Sequence, residues 1–199
     1  MPMKRPFPSL ALPLLIGGFA LAACSAPEAT ARYRIEPLPA TQSLPNRLGS
    51  AEMREISLPQ YAAGQEIAYE SADGALRSSP ENIWADDPPR AVTLALARQI
   101  SELSGAIVIA EPWPLGEAPQ RRIEVRIEQF LARADGQMQL SGTYYIRPDA
   151  LAGGRDIVRR FDVRVPIAGT EGAQATPAQI ARAQSQAVAE LARRIATLD

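Results

Sequence analysis

The chain's single cysteine is the residue whose type and position most clearly indicate a chemical modification. Cys24 follows a segment that begins with two cations, Lys4 and Arg5, and continues through a short apolar stretch from Leu10 to Phe19. That stretch is too short to span a bilayer comfortably, so the segment is typical of a cleaved secretion signal. Because the chain has no second cysteine, the thiol cannot close a disulfide within the chain and remains open to another covalent modification.

The run Leu21–Cys24 resembles the lipobox of bacterial lipoproteins. The resemblance implies cleavage after Ala23 and lipidation of Cys24, with a diacylglycerol and, in many species, an amine-linked acyl chain. Several acyl chains make membrane attachment stable, since each buried methylene adds roughly 0.8 kcal/mol of affinity. In Gram-negative lipoproteins, an aspartate directly after the lipidated cysteine tends to retain the protein at the inner membrane. Ser25 in that position implies that this protein is anchored in the inner leaflet of the outer membrane and faces the periplasm. The alternative is an ordinary signal peptide with a chance cysteine.

The chain lacks residue types that much enzyme chemistry needs. It contains no histidine, and its only lysine, Lys4, leaves with the signal. A Ser-His-Asp triad, a Schiff-base lysine and a zinc site built from histidines or several cysteines are therefore excluded from the mature chain. Carboxylates and tyrosines remain, so a carboxylate-pair hydrolase stays open as an alternative. The missing lysine also fits a composition rich in Ala, Arg and Pro, which is typical of a GC-rich genome.

Length and charge set the expected organisation. Removing residues 1–23 leaves 176 residues, which suits one domain with its own hydrophobic core. Loss of Lys4 and Arg5 takes the formal net charge from −1 to −3, which does not indicate a nucleic-acid-binding surface. We expect a signal peptide at 1–23, a lipidated tether at 24–31 and a single periplasmic domain at 32–199, with no cofactor and no metal site.

Three strands in succession give the clearest sheet pattern. Ile123, Val125 and Ile127 alternate with Glu124, Arg126 and Glu128. Phe130 falls out of phase, which indicates a bulge or a change of face, and Asp135-Gly136 predicts a hairpin turn. The inward faces of the next two strands are predicted to carry Met138, Leu140, Gly142, Tyr144, Ile146, Ile157, Phe161, Val163 and Val165. The alternating charges are interpreted as a solvated face with cross-strand attraction, with a binding role as the alternative.

Two long helices should cover this sheet. The first is predicted over Pro88–Leu103, with Asp87 as its cap and Gly105 as its stop. The second begins at a capping box, Thr176 to Gln179. Their apolar stripes are Val92, Leu96, Ile100 and Leu103 in the first, and Ile180, Ala183, Ala187, Leu191, Ile195 and Leu198 in the second.

The remaining segments predict short strands and a fold class. Strands are expected at Arg32–Ile35, Met53–Leu58, Gln65–Glu70 and Ala75–Trp84, the last weakened by Pro80, with residues 58–61 as a strand exit. The continuous apolar run Ala106–Ala110 predicts a strand covered on both faces. Two helices with one-sided stripes need a sheet face to cover. We therefore expect an α+β fold in which a mixed, largely antiparallel sheet has two helices packed on one face.

Several segments resemble the ABC-type transport auxiliary lipoprotein family. They are Ile56–Tyr61, Ile83-Trp84 before the helix from Pro89, Pro112-Trp113, Ile123–Phe130 and Asp135-Gly136 with its return strand. Order and spacing match over most of the mature chain. The chain departs from the family at Ala62, where members often have leucine, and at Ala68–Ser71, where their strand is more basic and apolar.

The family resemblance implies a transport function without catalysis. It implies an accessory subunit of an envelope lipid transport system, which pairs an inner-membrane transporter with an MCE-type protein that carries lipid across the periplasm. The lipoprotein would dock that conduit at the outer membrane, with a ring of identical copies as one implied arrangement. No catalytic residue is carried over. A structural envelope lipoprotein without a lipid path is the alternative, and neighbouring genes for an MCE protein and a permease would distinguish the two.

Three aromatic residues are candidates for a partner contact or for loop packing. Aromatic side chains combine large contact area with a polar tip, which suits interface anchors. Trp113, between Pro112 and Pro114, and Tyr61 are the candidate contacts. Trp84 is interpreted as locking a loop onto the core, and the same structural role is the alternative for Trp113.

Overall fold

The computed structural model describes residues 30–40, 42–149, 153–169 and 174–198, which form nine strands and three helices. The strands are β1 (Ala31–Tyr33), β2 (Ser50–Met53), β3 (Tyr69–Glu70), β4 (Leu76–Arg77), β5 (Asn82–Trp84), β6 (Ile107–Ala110), β7 (Arg121–Ala132), β8 (Gln137–Pro148) and β9 (Ile157–Pro166). The helices are α1 (Gln60–Ala63), α2 (Pro88–Ser104) and α3 (Pro177–Thr197). Cys24 lies outside the described residues.

A meander of three long antiparallel strands, β7, β8 and β9, forms the centre of the sheet. On the side of β7 away from β8, two short strands pair with it in parallel. β2 pairs with the start of β7, as far as Ile123, and β3 pairs with its last residue, Ala132. β6 extends the sheet beside β2, and β4 beside β3, while β1 and β5 pair separately. The predicted α+β class with a mixed, largely antiparallel sheet is confirmed.

The irregularity predicted at Phe130 is a β-bulge. The register between β7 and β8 shifts just after Ile127, which returns Phe130 to the buried side. Gly142 stands opposite Ile127, where a Cβ would lie 2.1 Å from the carbonyl oxygen of Arg126, so only glycine fits. The Asp135-Gly136 turn forms as predicted, with Gly136 at φ 79°.

The inner face of the meander is apolar, as predicted, and the two long helices cover it. Its buried side chains are Ile123, Val125, Ile127, Met138, Leu140, Tyr144, Ile146, Phe161 and Val163. α3 packs on β8 and β9, α2 packs on β6, and the two helices pack against each other. Both apolar stripes are therefore buried on one side of the sheet, which leaves the opposite face to solvent.

Both long helices have the ends that the sequence predicts. Asp87 accepts a hydrogen bond from the Arg90 N–H at the start of α2, and Gly105 ends that helix in the left-handed conformation. Thr176 and Gln179 form the predicted capping box of α3. The observed α2 extends one residue beyond the predicted range.

The strand predicted at Met53–Leu58 was placed too late in the chain. β2 ends at Met53, and Ile56 turns towards α2, where its N–H donates to Thr93 Oγ1 at 2.9 Å. Regular pairing with β7 is interrupted at Ile56 and returns only as a single parallel bridge between Ser57 and Arg126. The following residues lead into α1, the short helix at the predicted strand exit.

Two further strand predictions were only partly right. Of Gln65–Glu70, only the last two residues form β3, because the earlier part bonds to β5 through the Ile67 N–H and the Asn82 carbonyl. The range Ala75–Trp84 contains two strands, β4 and β5, on either side of Pro80. Proline has no N–H to donate, so a continuous strand is interrupted there.

The expectation that Ala106–Ala110 is covered on both faces was wrong. Within the described residues β6 pairs only with β2, and Ile107 is 54% exposed. Ala106 and Val108 are buried, whereas Ile107 points to the outer face. A run of apolar residues therefore marks an edge strand here, not a central one.

Candidate functional site

The chain enters the folded part along the helices. The backbone of Leu38 forms two hydrogen bonds with the side chain of Gln99 on α2, and the Glu36 N–H donates to Ser185 Oγ on α3 at 3.0 Å. These contacts place the first described segment on the helix side of the sheet. Lipidation of Cys24, further towards the N-terminus, stays a prediction.

Trp113 lies in the loop of residues 111–120, which joins β6 to β7 across β2. Its backbone N–H donates to Glu52 Oε1 at 2.9 Å, and its indole Nε1–H donates to the Glu117 carbonyl at 2.7 Å. Glu52 points away from the core side of β2, so the loop crosses the outer face of the sheet. The indole is half-buried, and Leu115 beside it is exposed. The structure therefore holds Trp113 in a fixed loop outside the buried core.

Tyr61 lies on α1 and fills a gap along the edge of β7. Its hydroxyl accepts a hydrogen bond from the Phe130 N–H at 3.2 Å. Phe130 lies between the part of β7 that pairs with β2 and the residue of β7 that pairs with β3. An unpaired backbone amide at this position would be costly, so the hydroxyl has a structural role. Tyr61 and Trp113 lie at opposite ends of β7, and the structure does not bring them together.

Trp84 belongs to the core, with 6% of its surface exposed, which agrees with its interpretation as a packing residue. It lines a groove of about 230 Å³ between β1 and α2, together with Tyr33, Ile35, Pro37, Leu94 and Ala95. Arg34 and Arg98 also line the groove, and each already forms an ion pair with a glutamate. The groove is thus apolar, with its cations neutralised.

The alternating charges of β7 lie on the outer face of the sheet. Glu124 forms ion pairs with Arg126 at 2.6 Å and with Arg147 of β8 at 3.1 Å. The hydrogen bond from Arg126 holds the pKa of Glu124 below its ordinary value. The Arg126 guanidinium also lies 5.2 Å from the centre of the Tyr145 ring. The predicted cross-strand attraction is present, and an aromatic ring adds to it.

Tyr145, Val158 and Arg160 share this outer face and are not among the residues predicted to form a site. The alternation of β8 and β9 served only to identify inward-facing residues. The same alternation places Tyr145 between Glu124 and Val158 in register. The out-of-phase positions of the two strands were therefore a usable signal for a surface site.

The described residues contain no group of three His, Cys, Asp or Glu side chains arranged to hold a metal ion. None of the described helices combines the length and the apolar character needed to cross a membrane. The features of this part of the chain with binding chemistry are the Trp113 loop, the groove beside α2 and the charged outer face.

One protein family, and relatives within it, are similar in sequence to this chain. The family model for the ABC-type transport auxiliary lipoprotein component matches residues 33–196. The chain belongs to this family. It is 30% identical over 132 residues to the intermembrane transport lipoprotein PqiC of Escherichia coli, covering 63% of this chain and 68% of that protein, and matches PqiC of Shigella flexneri to the same extent.

The match to the transport auxiliary lipoprotein family runs from β1 into the last turn of α3, so it includes Tyr61 and Trp113. Two crystal structures show the same fold. An uncharacterised protein has a TM-score of 0.62 at 19% identity, over 79% of this chain and 97% of that chain. A Xanthomonas campestris protein has a TM-score of 0.59 at 17% identity, over 84% and 93%. The family resemblance predicted from sequence is confirmed.

Proposed function

We propose that this auxiliary lipoprotein is a lipid-anchored subunit that docks an MCE-type protein of an ABC lipid transporter at the periplasmic side of the outer membrane. The family match over residues 33–196 is the observation that carries the proposal. The name of the relative PqiC, an intermembrane transport lipoprotein, supports a role in transport between membranes. On this proposal the chain positions a transporter and catalyses no reaction, in keeping with a sequence that has no histidine.

Cys24 supplies the attachment on this proposal. The chain from Cys24 to Ala31 reaches at most roughly 25 Å when fully extended, so the folded part stays close to the bilayer. Cys24→Ala should abolish lipidation and leave an uncleaved or unanchored form. Mass spectrometry of the wild-type protein from the membrane fraction tests this, and an unmodified Cys24 in the mature protein would contradict it.

Trp113 and Tyr61 are the proposed partner contacts. Trp113 offers part of its indole from a loop that its own hydrogen bonds hold in place, so little conformational entropy is lost on binding. Tyr61 would contribute its ring, since its hydroxyl is already bonded to Phe130. Partly exposed aromatic side chains on fixed elements are typical of interface anchors.

Purification of the full-length lipoprotein from native membranes tests the docking role. We expect an MCE-type protein and transporter subunits to co-purify, and Trp113→Ala to weaken their capture with an unchanged melting temperature. Arg182→Ala, at an exposed residue of α3 outside the Trp113 loop, the groove and the charged outer face, is the control and should leave capture intact.

Two outcomes would change the assignment. If Trp113→Ala lowers both capture and the melting temperature, the residue serves the fold. If the wild-type lipoprotein captures no MCE-type protein and no transporter subunit, the docking proposal fails, and the structural envelope lipoprotein of the sequence analysis replaces it.

A further inference from the structure

The outer face of the meander carries a cluster of cationic and aromatic side chains. This arginine–tyrosine patch consists of Arg126, Tyr145, Arg147, Val158 and Arg160. Tyr145 lies at its centre, between Glu124 of β7 and Val158 of β9 in the strand register. Resting on the proposed docking function, we infer that the patch binds an acidic segment of the transport partner protein.

The patch carries more positive than negative charge. Arg126 and Arg147 share a single carboxylate, that of Glu124. Arg160 is exposed, and no carboxylate in the described part of the chain lies within ion-pair distance of it. Within the patch three guanidinium groups therefore face one carboxylate, because Asp162, the next outward residue of β9, is paired with Arg164. The whole chain has a net charge of −1. Positive charge gathered on one face of an acidic chain complements a negatively charged partner.

The side chains of the patch are of the types found at the centres of protein interfaces. Val158 is 53% exposed, and its neighbour Tyr145 is held by the Arg126 guanidinium 5.2 Å from the ring centre. Tyrosine and arginine are enriched at the energetic centres of protein interfaces, where they are packed by apolar neighbours. An arginine already fixed over a ring loses less side-chain entropy on binding than a free one.

The position of the patch favours a protein over lipid headgroups as its ligand. The chain enters on the helix side, where Glu36 and Leu38 are bonded to α3 and α2, whereas the patch lies on the opposite face of the sheet. The described segment nearest the anchor thus packs on the face opposite the patch, which leaves the patch open to a partner protein. The Trp113 loop crosses the same outer face of the sheet as the patch. Self-pairing of the patch about a two-fold axis would set cations against cations.

Photocrosslinking in native membranes tests the patch. Val158 of the full-length lipoprotein is replaced by p-benzoylphenylalanine, and the adduct is mapped by mass spectrometry. We expect an adduct with a transporter subunit at a peptide rich in Asp and Glu. Arg160→Glu should lower its yield by about tenfold, whereas Arg160→Lys, which keeps the charge, should retain it. Arg182→Glu makes the same charge change on an exposed site of α3 and should have no effect.

The other outcomes overturn the inference. Adducts with lipid, with a second copy or with a neutral or basic peptide exclude an acidic protein partner, as does an undiminished yield with Arg160→Glu. If transporter subunits still co-purify but Val158 forms no adduct with them, the patch is excluded and the docking proposal stands. If no subunit co-purifies and no adduct forms, both fail.

Discussion

The two faces of the β7–β8–β9 meander are built from alternate residues of the same strands. Val125 is fully buried beneath the helices, while its neighbour Glu124 lies among arginines on the outer face. On the inner face every side chain is fixed by its neighbours, and a change of size or charge must disturb them. On the outer face the side chains contact mainly each other and water, so their chemistry is free to serve a partner. Sheet alternation thus separates residues that maintain the fold from residues available for recognition.

The largest effect is expected from a charge placed on the inner face. Val125→Asp buries a carboxylate without a partner and should destabilise the chain by about 3–5 kcal/mol, or prevent folding. Urea unfolding of the unlipidated chain measures it. Val158→Asp makes the same chemical change on the outer face and should cost less than about 1 kcal/mol. Similar losses for the two variants would contradict the assignment of the faces.

A single added methyl group tests how tightly the bulge is packed. Gly142→Ala places a Cβ against the backbone of Arg126 and Ile127, so β7 and β8 must separate there. We expect a loss of about 2–4 kcal/mol in the same urea experiment. Gly116→Ala, in a loop with open space around the new methyl group, is the control and should change stability little. A neutral Gly142→Ala would show that the strands do not approach as closely as described.

The hydroxyl of Tyr61 provides a smaller effect at the edge of β7. Tyr61→Phe removes the acceptor for the Phe130 N–H and should cost about 1–2 kcal/mol, because that amide loses its partner. Tyr145→Phe is the matched control on the outer face and should be nearly neutral, since the ring that faces Arg126 remains. If Tyr61→Phe lowers partner capture but not stability, the hydroxyl itself belongs to the docking site.

The features predictable from sequence were those that local chemistry determines. The starts of the two long helices follow from the capping side chains of Asp87 and Thr176, and the bulge follows from the phase of Phe130 in its strand. Predicting each of these features required only a few neighbouring residues. The short strands required knowledge of distant partners: after Met53 the regular pairing with β7 is interrupted where Ile56 is bonded to Thr93 on α2.

Alternation indicated which residues of β8 and β9 face outward, but their assembly into one patch was not predictable, for a related reason. Arg126, Tyr145 and Arg160 come from three strands, and they form one surface only through a register that the sequence does not specify. The bulge after Ile127 changes which β7 residues face outward, so alternation alone would have misplaced later positions. The individual charges of β7 were visible from sequence, but their excess over carboxylates emerges only when the strands are aligned.

The smallest effect is expected from the carboxylate within the charged face. Glu124→Gln removes the ion pairs with Arg126 and Arg147 and should cost less than about 1 kcal/mol at pH 7, because its cationic partners are exposed. Urea unfolding of the unlipidated chain measures this loss, with Val125→Asp as the inner-face comparison. A loss as large as that of Val125→Asp would show that the outer face also maintains the fold.

The pH dependence of the same variant sharpens the distinction between the faces. The pKa of Glu124 in the folded chain lies below its ordinary value of 4.5, chiefly through the hydrogen bond from Arg126. The stability it contributes is therefore present above pH 4.5 and is lost as the pH falls through the lowered pKa, where the folded carboxylate is protonated. The difference in unfolding free energy between wild type and Glu124→Gln should be constant from pH 7 to about 5 and shrink below 4.5. A difference that grows on acidification would mean that the carboxylate opposes folding, and Arg126 and Arg147 would then be arranged for a partner's acid instead of for Glu124.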